Sequence, residues 1–124
     1  MNAVAVLVSV VDDDESVRES LPDLLRELGY AVQAFSSAES FLGSEFIDRT
    51  QCLILDVAMP GMSGPELQRE LTRRKYKIPI IFITAHADET LLPSLLEDGA
   101  VDCLFKPFSE AELLGALKAA LGPG

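Results

Sequence analysis

The chain has 124 residues, and twenty acidic against ten basic side chains leave a formal net charge of −10. That length suits one compact domain, burying roughly two thirds of the surface its unfolded chain exposes, and the charge repels nucleic acid and anionic lipid, so direct contact with either is not expected. The apolar runs near the N-terminus are short and give way to Asp12, Asp13, Asp14 and Glu15, unlike a basic-headed signal peptide or a membrane span, so the chain reads as soluble and cytoplasmic.

In chain order, the β-branched apolar run at residues 4–11 predicts a first strand buried on both faces. Val17, Leu21, Leu24, Leu25 and Leu28 follow at helical spacing ahead of Gly29, with Pro22 inside the stretch. A proline there removes a backbone donor at a cost of roughly 3 kcal/mol, so a kink is expected. Residues 30–35 and 52–55 read as the second and third strands, and residues 60–64 as a turn that places Pro65 at a first helical position. Residues 80–84 and 101–105 read as the fourth and fifth strands; Pro93 between them predicts a late helix start. Leu113, Leu114, Leu117 and Leu121 mark a last helix, and residues 122–124 a tail or the start of a linker. A βα alternation of this kind implies a parallel sheet with right-handed crossovers and helices on both faces, its strands ending along one ligand-binding edge. Cys52 and Cys103 stand alone in apolar stretches and read as buried small hydrophobes, with no disulfide required.

The residues at the carboxyl ends of those strands are Asp12 and Asp13, Asp56, Thr84 and Lys106. Taken singly, the acids at residues 12–15 could serve a helix N-terminus, and Asp14 and Glu15 are assigned to that duty. Taken together, the strand-end residues put acids, a hydroxyl and a lysine on one rim. Carboxylates about 4 Å apart at an effective dielectric near 20 repel by roughly 4 kcal/mol per pair, so a cation must answer them. Hard oxygen donors of this kind suit Mg²⁺, which also binds phosphate oxygens. A carboxylate between a metal and a lysine is a candidate nucleophile toward phosphorus, because phosphoryl transfer needs in-line positioning and charge neutralisation. His86 reads as a solvated loop histidine.

Residues 11–14 (VDDD), 55–64 (LDVAMPGMSG), 83–85 (ITA) and 105–108 (FKPF) resemble the receiver domain of two-component response regulators. The likeness spans residues 1–121 and implies the flavodoxin-like order 2-1-3-4-5. It implies Asp56 as phosphoacceptor for a sensor histidine kinase, with Asp13, Asp56 and the backbone carbonyl of Ala58 on Mg²⁺ and Asp12 acting through bound water. Thr84 and Lys106 would contact phosphoryl oxygens, and the bond before Pro107 would be cis. Residues 35–42, 66–68 and 99–102 are similar to receivers of the nitrogen-fixation regulator type, which precede a helix-turn-helix output domain in transcription regulation. In the family a surface of the fourth helix, fifth strand and fifth helix pairs two receivers on phosphorylation; Leu91 and Leu92 are candidates for its apolar patch. Cys103 departs from the aromatic residue usual three places before the lysine, and Pro93 lies in the helix that usually moves, so readout is expected through local reordering around residues 86–96. Three other readings compete. A haloacid-dehalogenase-type phosphatase needs a second Asp where Ala58 stands, a flavin domain needs a Gly/Ser-rich first loop, and a phosphate-independent interaction module of the same fold would be free to lose the acids that this chain keeps.

Overall fold

The computed structural model describes residues 5–85 and 92–122. Five parallel strands, β1 (Leu7–Val11), β2 (Ala31–Phe35), β3 (Cys52–Asp56), β4 (Ile80–Thr84) and β5 (Asp102–Phe105), form one sheet in the order β2-β1-β3-β4-β5. They alternate with helices α1 (Glu15–Glu27), α2 (Ala38–Leu42), α3 (Gly64–Arg73), α4 (Leu92–Glu97) and α5 (Glu110–Leu121). This is the expected architecture, and the bond between Lys106 and Pro107 is cis, as the resemblance implied.

Side chains leave a strand alternately to its two faces, and this sheet buries both. Val8, Val10, Ile54, Ile81, Ile83 and Leu104 pack with Leu21 and Leu25 of α1 and Leu113 and Leu117 of α5. Val11, Leu53, Leu55, Phe82 and Cys103 face the other way, against Phe41 of α2, Leu67 and Leu71 of α3 and Leu95 of α4. Within that core the hydroxyl of Ser9 meets that of Thr50 at 2.7 Å, so burial leaves neither polar group unpaired. Burial on both faces holds for β3 and β4, every residue of which is buried, and fails at the sheet edges, where Gln33 and Ala34 of β2 and Asp102 of β5 keep solvent contact.

Several boundaries differ from the sequence reading. β1 begins at Leu7, Val4 lies outside the described residues, and β3 runs one residue further, so that Asp56 is its last member. Helix α1 continues through Pro22, which is buried. Pro65 is the second residue of α3, after Gly64; its missing N–H would have had no helical partner there either. Pro93 is the second residue of α4 as described, and the stretch before it, with His86 and Leu91, lies outside the described residues. Helices α3 and α5 open on reciprocal caps, Ser63 with Glu66 and Ser109 with Glu112, which explains why both start sharply just beyond the strand ends.

Candidate functional site

The parallel register sets Val11 opposite Leu55, Asp56 opposite Ile83 and Thr84 opposite Phe105. Asp12, Asp56, Thr84 and Lys106 therefore end neighbouring strands at one level of one edge. Carboxylate oxygens of Asp12, Asp13 and Asp56 lie within 4.8 Å of one another. Lys106 Nζ donates to Asp12 Oδ2 at 2.8 Å and stands 4.0 Å from Asp56 Oδ2. Asp13, Asp14, Asp56, Ala58, Thr84, Ala85 and Lys106 line an open cleft of about 270 Å³. The strand-end side chains Asp12, Asp13, Asp56, Thr84 and Lys106 thus meet in one place, and Ala58 lines the same cleft.

Burial decides the electrostatics. Asp12 is fully buried, Asp56 is 7% exposed and Asp13 lies open to solvent. Removal from water pushes the Asp56 carboxyl up to about 7; the neighbouring Asp12 adds to this, while Lys106 and the Ala58 amide oppose it. For Lys106, burial works against the charged form, but the hydrogen bond to Asp12 and the nearby Asp56 outweigh it and hold the ammonium above its usual range. Asp14 is on the other duty assigned to it: it caps α1 by accepting from the Ser16 hydroxyl and amide, which holds its carboxyl below the ordinary value.

Two contacts around the site were not anticipated. Gly64 donates to the Val57 carbonyl at 3.0 Å, and a Cβ at this glycine would collide with the Asp56 carbonyl oxygen and reach 3.0 Å from the Phe82 ring. Only a residue without a side chain lets α3 start this close to the end of β3. The turn ahead of it is tied to α2 by Glu39, whose Oε2 accepts from the Met62 amide at 3.3 Å. The glycine belongs to the motif at residues 55–64 but its partner does not, and Glu39 carries no pattern that sets it apart from other exposed acids.

The family model for the response regulator receiver domain matches residues 8–118. The chain belongs to the response-regulator receiver family. It is 50% identical over 114 residues to nodulation protein W of Bradyrhizobium diazoefficiens, covering 92% of this chain and 50% of that protein. It is 46% identical over 121 residues to the response regulator protein TodT of Pseudomonas putida, covering 98% and 53%. Among solved structures, the FixJ-N crystal structure superposes with a TM-score of 0.85 at 39% identity, covering 96% of this chain and 95% of that one. The chain spans about half the length of the curated relatives it matches. It is a receiver of the two-component type, from a family of regulators, with a CheY- and FixJ-like order of strands. Among the described residues no helix is long and apolar enough to cross a membrane.

Proposed function

We propose that this receiver is a phosphorylation-activated switch in which Asp56 takes a phosphoryl group from the phosphohistidine of a sensor kinase. The observation that carries the reading is the meeting of Asp12, Asp13 and Asp56 within 4.8 Å beside the Lys106 ammonium, at the strand-end edge of the sheet.

The donor set fits Mg²⁺: carboxylate oxygens with one carboxylate exposed, leaving room for water and phosphate oxygens. Asp13, Asp56 and the Ala58 carbonyl would hold the ion, with Asp12 reaching it through water. Bound there, it supplies charge neutralisation for the carboxylates and for the equatorial oxygens of the transferring group. In the transfer an Asp56 oxygen attacks phosphorus in line, the P–N bond of the phosphohistidine breaks, and its electron pair leaves with the imidazole. Lys106 then follows the new negative charge, and the Thr84 hydroxyl binds a phosphoryl oxygen. Ala58, two residues past the nucleophile, has no proton to give or take, so the acyl phosphate persists long enough to be read.

The reader is an output domain or partner, in keeping with relatives named as transcriptional regulatory proteins. Residues 1–121 form the receiver, and residues 122–124 are a tail or the start of a linker toward that output domain. Pairing of two receivers through α4, β5 and α5 is part of the same proposal. Leu96 of α4, 43% exposed, is the large exposed apolar side chain among the described residues and belongs to that surface, whereas the side chains of Leu91 and Leu92 lie outside them. Cys103 sits in the core at 8% exposure, too small to move as a ring would, so readout falls to the α4 region.

Beryllofluoride, a phosphoryl mimic, tests the reading. With Mg²⁺ it should raise the melting midpoint of the wild-type chain and leave Asp56→Asn unchanged. An equal rise in both, or none in the wild type, would count against Asp56 as the acceptor.

A further inference from the structure

Arg18 is the fourth residue of α1, near the positive end of the helix dipole, where a cation is the less favoured choice. Acids flank it at Asp14, Glu15 and Glu19, yet among the described residues it forms no ion pair. Helical side chains lean toward the N-terminus. This one folds back over the start of the helix, and its Nη1 donates to the backbone carbonyl of Asp12 at 3.0 Å.

That bond completes the hold on a fully buried residue. The Asp12 amide donates to the Phe35 carbonyl at 3.1 Å. Its Oδ1 accepts from the Asp14 amide at 2.9 Å and its Oδ2 from Lys106 at 2.8 Å. Arg18 takes the remaining group, the carbonyl. Asp13 is the opposite case: exposed, with no hydrogen bond or ion pair to its carboxylate among the described residues. Its direction is therefore inherited from the backbone, and the peptide plane that delivers it contains the carbonyl Arg18 holds.

We propose that Arg18 is a positioning residue for the cation site, fixing the Asp12–Asp13 peptide so that the Asp13 carboxylate faces Asp56. This rests on the reading of the acid cluster as a Mg²⁺ site. A guanidinium on the Asp12 carbonyl also brings a positive charge to that residue, an effect of opposite sign. As a charge it competes with the metal, whereas as a clamp it prepares the ligand, so the direction of the change on its removal decides between the two.

The experiment is a Mg²⁺ titration of the full chain, followed by calorimetry and by the amide resonances of residues 12–14 and 56. Arg18→Met keeps the aliphatic stem and loses the donors, and Arg18→Lys restores a donor. A clamp predicts that Arg18→Met weakens Mg²⁺ binding about tenfold, the usual scale for losing a group that orients a metal ligand. It also predicts that Arg18→Lys recovers most of this and that amide exchange at Asp13 and Asp14 quickens in metal-free Arg18→Met. Unchanged binding in Arg18→Met overturns the proposal, and tighter binding overturns it and makes Arg18 a competing charge. If Arg18→Met is unfolded by circular dichroism, the amide exchange at Asp13 in Arg18→Ala decides: faster exchange than in the wild type supports the clamp, and wild-type protection overturns it. A wild-type chain that binds no Mg²⁺ at millimolar concentration defeats the cation site itself, and Arg18's role with it; binding by the wild type with no loss in Arg18→Met defeats Arg18's role alone.

Discussion

Asp56 is an acid whose ionisation burial opposes, so that as a nucleophile it depends on a neighbouring cation. Its carboxyl, held at about 7 first by burial and then by Asp12, stays protonated in the metal-free fold at pH values where the unfolded chain has released that proton. Stability contributed by this group is full below an unfolded value near 4 and is lost as the pH rises toward 7, at up to about 1.4 kcal/mol for each pH unit. Urea melts in EDTA should therefore show the wild type losing stability between pH 5 and pH 8 relative to Asp56→Asn; parallel pH profiles would contradict this. Lys106 balances the other buried acid. Its side chain, 18% exposed, is the hydrogen-bonding partner of an Asp12 side chain that is fully buried. Lys106→Met strips a buried charge of its partner and should cost roughly 3 kcal/mol in metal-free urea melts at pH 7, with part of the loss returned by Mg²⁺. A loss near zero would mean that Asp12 does not depend on the lysine.

Helix α3 reaches the site through Gly64 and reaches α4 through Gln68. Because a Cβ at Gly64 meets backbone rather than a movable side-chain tip, Gly64→Ala should destabilise the chain by roughly 1–3 kcal/mol and displace the end of β3 that carries Asp56, measurable as slower phosphorylation beyond the shift in urea midpoint. Gln68 is buried, its Nε2 lies 3.3 Å from the Asp98 carbonyl and 3.5 Å from that of Leu95, and its Oε1 has no partner among the described residues. The amide keeps its donors toward the end of α4, where the Leu95 carbonyl also accepts from the Ala100 amide at 3.1 Å. Gln68→Leu should then lower hydrogen-exchange protection across residues 95–100 while α3 keeps its own; unchanged protection would show that α4 is held by apolar contacts alone. Pro65 after the turn at residues 60–64 announces α3, but Gln68 within it is, by pattern alone, an ordinary polar residue. What it does depends on where α4 ends, a matter of packing between elements far apart in the chain.

Across the whole molecule, the strand order brings residues 12, 56, 84 and 106 to one edge, and this much was readable from residue types at the ends of apolar runs. The runs were legible because a parallel sheet buried on both faces must be apolar throughout. The edges were less so: β2 and β5 each start one residue later than their runs, since a half-covered strand blurs the pattern. Missed altogether were the ties that hold the rim in shape, the Arg18 guanidinium on the Asp12 carbonyl and Glu39 on the Met62 amide, because contacts to backbone leave no trace in the identity of the residue contacted. Each of these features matters only if Asp56 accepts phosphate. The direct test is intact-mass measurement after incubation with acetyl phosphate and Mg²⁺: one added phosphoryl group, removed by hydroxylamine, absent in EDTA and absent from Asp56→Asn, is the expected result. An unmodified wild type, or an Asp56→Asn chain modified to the same extent, would contradict it.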